Sequence, residues 1–189
     1  MKTIDRLRFP LLLLCVVARP AGAADGGTCN TLLTAADVAS TCGVAGVTVN
    51  LNDRDAGDLR SFEERRLAAD RVDLTRCAKK FQGPGNRSLM LTIAKIDSRH
   101  QNRVAFDTIK PMVAGLADYA PLADIGDGAR RFSSGGVTGP QVQAIEFIRG
   151  RWSVSLRTAD GTYEGERFER LCGFPEMERL ARILASRLP

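Results

Sequence analysis

The chain has 189 residues, room for one domain and short for two. A hydrophobic fraction of 44% suits a globular chain with a real core, and the formal charge of +5 is inflated by the N-terminus. Of the 27 basic and 22 acidic residues, Lys2, Arg6, Arg8, Arg19 and the single acid Asp5 precede Ala23, so the remainder carries a net charge near +2. That excludes a strongly basic nucleic-acid binder, which needs a basic patch or stripe.

Residues 1–23 have the form of a secretory signal. Basic side chains lead into the apolar run "FPLLLLCVVA", and "AGA" at Ala21–Ala23 is a small-x-small cleavage site. The run is too short to span a bilayer, which takes roughly 20 apolar residues. Cys15 lies inside the apolar run, behind Leu14 where a lipoprotein site has a small residue. The expected product is therefore a soluble secreted or periplasmic domain, residues 24–189, with no transmembrane helix.

"CNTLLTAADVASTCG" (Cys29–Gly43) opens that domain. Thr34 and Asp37 have capping-box spacing, Leu33 and Val38 form a hydrophobic staple, and Gly43 supplies the left-handed residue that ends a helix. The spacing predicts a helix over 35–42. "GVTVNLN" (46–52) is β-branched at alternate positions and predicts a strand. The charged run 53–73 follows, with Leu59, Phe62 and Leu67 as a partial stripe for a surface helix over 57–69; a loop is the competing reading.

"RVDLTRCAKKF" (71–81) and "SLMLTIAKI" (88–96) predict a hairpin around the turn "QGPGN". Val104, Ala105, Thr108 and Ile109 have helical spacing, and Pro111 should end or bend that helix. "APLADIGDGARRF" reads as a loop entering a strand, with Gly126 and Gly128 at turn positions. "VQAIEFIRGRWSVSLRTADG" predicts a second hairpin, Val142–Ile148 and Trp152–Thr158, turning about Arg149–Arg151. "FPEMERLARILASRL" predicts an amphipathic helix with Pro175 in its first turn and Met177, Leu180, Ile183, Leu184 and Leu188 facing inward. Antiparallel strands with helices on one face give an α+β fold, here a sheet of five to six strands against two to three helices.

Four cysteines remain after the leader: Cys29, Cys42, Cys77 and Cys172. An even count in an exported chain reads as disulfides. Zinc and redox sites use closely spaced pairs, which are absent, so no metal and no cofactor are expected. Four cysteines allow three connectivities; the expected pairs are Cys42–Cys77, tying a helix end to a strand, and Cys29–Cys172, tying the mature N-terminus to the last helix.

His100 in "DSRHQN" is the only histidine, with Asp97 and Ser98 beside it. A triad is a matter of geometry, so adjacency is no argument for one. Glu146 is the one acid in an otherwise apolar strand; the plain reading puts it on a solvent-facing sheet surface. Trp152 and Phe147 read as core. Arg149 and Arg151 at a hairpin tip, with Arg130 and Arg131, are the candidate partner-contact surface.

Four segments together carry a resemblance: "CNTLLTAADVAS", "DIGDGARRF", "VQAIEFIRGRWSVSL" and "MERLARILASRL". In their order and form the chain resembles a group of exported, mostly actinobacterial envelope proteins, many of them lipoproteins. The resemblance implies a PsbP-like α+β sandwich and supplies no catalytic residues. This chain departs from the group in lacking a lipid-bearing cysteine at the mature N-terminus and in having extra cysteines.

The expectation is a non-catalytic secreted binding module for a protein, an envelope component or a small apolar ligand. The alternatives are a secreted hydrolase using Glu146 or His100 and an inhibitor-type protein acting on a secreted enzyme.

Overall fold

The computed structural model describes residues 29–50, 75–136 and 139–189. The expected leader, the last residues of the expected strand 46–52, the expected helix over 57–69 and the first residues of the expected strand 71–81 lie outside them.

The described chain runs α1 (Cys29–Leu32), α2 (Ala35–Cys42), β1 (Thr48–Asn50), β2 (Thr75–Gln82), β3 (Arg87–Lys95), α3 (Arg99–Thr108), α4 (Lys110–Ala114), β4 (Ala117–Leu122), β5 (Gly128–Gly135), β6 (Gln141–Arg149), β7 (Trp152–Tyr163), β8 (Glu166–Arg170) and α5 (Phe174–Arg187). The strands form one eight-stranded sheet, ordered β1-β2-β3-β8-β7-β6-β5-β4, with β3 also paired to β7. Five to six strands were expected; β4 and β8 are the additions. β8 lies parallel to β3 over Arg87–Ser88 and antiparallel to β7 over Gly161–Tyr163, so it fills the gap where those two strands part. Thr158 seals that seam: its hydroxyl donates to the Ser88 carbonyl and accepts from the Leu171 amide.

The β3–β7 pairing joins two hairpins through residues far apart in sequence, from Lys95 with Trp152 to Leu89 with Thr158. Leu91 faces Leu156 and Ile93 faces Val154; Leu156 in turn faces Ile145, and Val154 faces Phe147. Side chains alternate across a strand, so this apolar set shares one face. α5 covers it with Met177, Leu180, Ala181, Leu184 and Ala185, all buried. Burying a large aliphatic side chain contributes about 1.5–3 kcal/mol, and this layer is the core.

α2 packs antiparallel to α5. Its capping box forms as the spacing predicts, with the Asp37 amide donating to Thr34 Oγ1 and the Thr34 amide to Asp37 Oδ2. Leu33 and Val38 are fully buried, and Gly43 ends the helix at φ +66°. At one end of the pair, Arg187 of α5 grips Asp37 with two N–H groups at 2.7 and 2.9 Å. At the other, Cys42 is bonded to Cys172, with their Cα atoms 5.2 Å apart.

That bond corrects both expected pairs. Cys42 closes on Cys172 and so cannot join Cys77, nor can Cys172 join Cys29. The reason is the antiparallel packing, which sets the C-terminus of α2 beside the residue that leads into α5.

Candidate functional site

Among the described residues, the second face of the sheet is only partly covered. α3 lies across β5, β6 and β7 on that side, held mainly by polar tethers. Ser98 caps it, accepting from the Gln101 amide. Asn102, buried, donates both amide hydrogens to the hairpin, to the Gly150 and Trp152 carbonyls at 3.1 and 2.9 Å. Arg103 donates to the Asp127 carbonyl. Gly126, at φ +58°, lets the preceding turn pass against β6; a Cβ there would strike the Ile148 carbonyl.

Arg130 is the deepest tether. Its side chain is 2% exposed, yet it is a permanent cation. Its Nε and Nη2 donate to Glu146 Oε2 at 3.1 and 2.8 Å, and its Nη1 donates to the Phe106 carbonyl at 2.9 Å. The guanidinium also lies 4.0 Å from the centre of the Phe106 ring. A buried charge stays only where it is paired and hydrogen-bonded, and here both conditions are met.

The pair is built by sheet register. Arg130 stands opposite Glu146, Glu146 opposite Ser155, and Ser155 opposite Thr92. Arg157, two residues beyond Ser155 on the same face, donates to Glu146 Oε1 at 3.3 Å and to the Ser155 hydroxyl at 3.0 Å.

Between α3 and this row lies an open cavity of about 330 Å³. Ile96, Ala105, Phe106 and Ile109 form an apolar wall; Ser153, Ser155, Glu146 and Arg157 form a polar floor. Glu146 was expected on a solvent-facing surface, but its side chain is 13% exposed inside this cleft. Both its oxygens already accept guanidinium N–H groups. Among the described residues lining the cavity it is the one carboxylate, so the pair of acids that glycoside hydrolysis uses is not assembled from them.

His100 lies elsewhere, on a second cavity of about 390 Å³ with Arg99, Arg103, Asp127 and Gly150. Asp127 is engaged there, accepting from the Gly150 amide at 2.6 Å and from Arg99 at 3.2 Å. Ser98 Oγ spends its hydrogen bonds on Gln101. Thus the two residues of the hydrolase alternative do not share a cavity. Among the described residues no group of three or more His, Cys, Asp or Glu is placed to hold a metal ion.

The expected arginine surface is corrected in part. Arg130 is buried and cannot meet a partner. Arg131 points to the opposite face, 3.0 Å from Glu178 of α5 and over the Phe174 ring. Arg149 and Arg151 are exposed, and reach the Leu188 and Ile96 carbonyls. Phe147 is core as expected, while Trp152 is half-buried beneath the Lys95 ammonium.

No family model matches the chain, and no curated protein matches it. Among solved structures the chain is similar to the extracellular domain of PknH from Mycobacterium tuberculosis, at 12% identity and a TM-score of 0.46, over 82% of this chain and 91% of that one. At that distance the likeness transfers neither residues nor function, and nothing in it ties the fold to the PsbP-like group.

Proposed function

We propose that the chain is a non-catalytic binding module that acts outside the cytoplasm and takes a small ligand in the cleft between α3 and the sheet. The observation that carries this reading is the two-sided cavity, apolar along Phe106 and Ile109 and polar along Ser155 and Arg157. Its volume is at the lower end of the roughly 300–1,000 Å³ typical of ligand sites, and mixed lining of this kind is their usual composition. Glu146 is bound to Arg130 through two hydrogen bonds to Oε2 and is the one carboxylate among the described residues lining the cavity, so a two-carboxylate mechanism finds no second acid there, which favours binding over hydrolysis.

The extracytoplasmic location is supported by the leader sequence and by the Cys42–Cys172 bond, since disulfides persist in oxidising compartments. Among the described residues no helix is long and apolar enough to cross a membrane.

The test is an intact native mass of the protein taken from its own host's envelope or medium. A chain cut near Ala23 with a small added mass is the expected result. Ala105→Trp, on an exposed position of the cavity wall, should remove the added mass while leaving the fold intact. An added mass that persists in Ala105→Trp places the ligand elsewhere. A hydrolytic activity lost in Glu146→Gln, with fold retained, would replace this reading with the enzyme alternative.

A further inference from the structure

We infer that the cleft takes an amphipathic organic anion, with its carboxylate or phosphate head on Arg157 and its apolar body along Phe106 and Ile109. This rests on the reading of the cleft as the ligand site.

Among the described residues that line the cleft the charges do not balance: Glu146 is one anion facing two cations, Arg130 and Arg157. Arg130 meets it with two hydrogen bonds from a buried guanidinium whose third nitrogen is also engaged. That pair is closed. Arg157 is the surplus: its side chain is 55% exposed and it touches Glu146 through one nitrogen at 3.3 Å. Its Nη1 makes no hydrogen bond among the described residues. An incoming anion can therefore recruit Arg157 without stripping Glu146 of its partner. A guanidinium presents a fork that fits both carboxylate and phosphate oxygens. The Ser153 and Ser155 hydroxyls on the same floor add short-range donors.

The other half of the ligand is set by the apolar surface. Among the described residues the exposed large hydrophobics are Met90, Val104, Ile109 and Met112. Ile109 is part of the cavity wall. Met112, 76% exposed, follows it on α4. Met90 stands directly opposite Arg157 in the sheet. Arg157 thus stands next to Met90 on the sheet and shares a cavity with the exposed Ile109 and its apolar wall. A neutral sugar would leave Arg157 unmatched, and an inorganic anion would leave the wall wet.

Titration calorimetry with decanoate, decyl phosphate and decanol, each below its micelle concentration, tests the assignment. Decanoate or decyl phosphate should bind, and decanol should bind about ten-fold more weakly or worse, the loss of a charge-assisted contact. Arg157→Gln should weaken decanoate by a similar factor and leave decanol unchanged. The variant should fold, because Glu146 keeps Arg130. Ile109→Ser should weaken both probes.

Equal binding of decanol and decanoate, or an unchanged Arg157→Gln, overturns the anionic head. If Ala105→Trp still blocks binding in that case, the cleft stands and only the ligand class falls; if it blocks nothing, the cleft reading falls too. No binding by either anionic amphiphile overturns the inference. Binding to phosphatidylglycerol vesicles alone, without monomeric amphiphile, also overturns it and points to a bilayer surface instead.

Discussion

At the scale of single residues, Arg130 and Glu146 are the pair on which both the fold and the cleft depend. Removing one member of a buried ion pair costs about 3–5 kcal/mol, because the other charge is stranded. Glu146→Gln should therefore destabilise the protein by about 3 kcal/mol in urea unfolding. Arg157→Gln, which breaks a half-exposed contact, should cost under about 1 kcal/mol. Equal effects would mean that Arg130 does not depend on Glu146. None of this pairing was legible in the sequence. Glu146 stood out as an acid in an apolar strand, but its partner depends on the register of β5 against β6. Arg130 and Arg131 stand together, with Arg149 and Arg151, in the expected partner-contact surface. In a strand, adjacency puts them on opposite faces, and the structure separates them into a buried tether and a clasp on α5.

Asp37 gives a prediction in pH. The two hydrogen bonds from Arg187, aided by those from Thr34, outweigh burial and hold its carboxyl well below the usual carboxylate range. A depressed folded value means that the unfolded state binds the proton more readily. The stabilisation is then complete above the unfolded value of about 3.9 and is lost as pH falls below it. Asp37→Asn should lower Tm at pH 7, and the gap to the parent protein should narrow between about pH 4 and pH 2. A gap that stays constant with pH would assign Asp37 a capping role without the ionic one.

At the scale of elements, legibility followed local punctuation. α2 was readable because its cap, staple and terminal glycine all lie between Leu33 and Gly43. α5 was readable from its apolar stripe. β4, "ADYAPL", falls partly in the stretch expected as a loop, and its Pro121 cannot donate to a ladder. It forms a strand at the end of the sheet as described, an edge position where proline is tolerated. β8, "ERFER", has one apolar residue among charges, and its reason to be a strand is the gap between β3 and β7. The disulfide was misassigned for the same reason: the pairing follows from how α2 lies on α5, a contact between residues 130 apart in sequence. So long a closed loop should stabilise by about 4–5 kcal/mol in the chain-entropy limit. Cys42→Ala with Cys172→Ala should lose several kcal/mol in urea unfolding while the Asp37–Arg187 clasp keeps the native dichroism. A loss under about 1 kcal/mol would mean that the clasp and the core alone fix α2.

At the scale of the whole molecule, the two faces of the sheet are held by different means, and this sets where the protein can move. α5 contributes five buried apolar side chains to the core. α3 contributes one buried residue, the polar Asn102, and α4 none. Local opening is easiest where few apolar contacts must break. The amides of α3 should thus exchange with solvent through local opening, well before those of α5, β6 and β7, which should report global unfolding. Asn102→Ala removes two hydrogen bonds to the hairpin. It should speed exchange in α3 by about ten-fold, from the loss of roughly 1–3 kcal/mol, with little change in α5. A ligand seated between α3 and the sheet should do the reverse, slowing α3 selectively. If α3 proved as protected as α5 in the free protein, the cleft wall would be rigid and its ligand would enter a preformed slot. If Asn102→Ala accelerated every element alike, α3 would be part of the global folding unit, and polar tethers would be holding as firmly as the core.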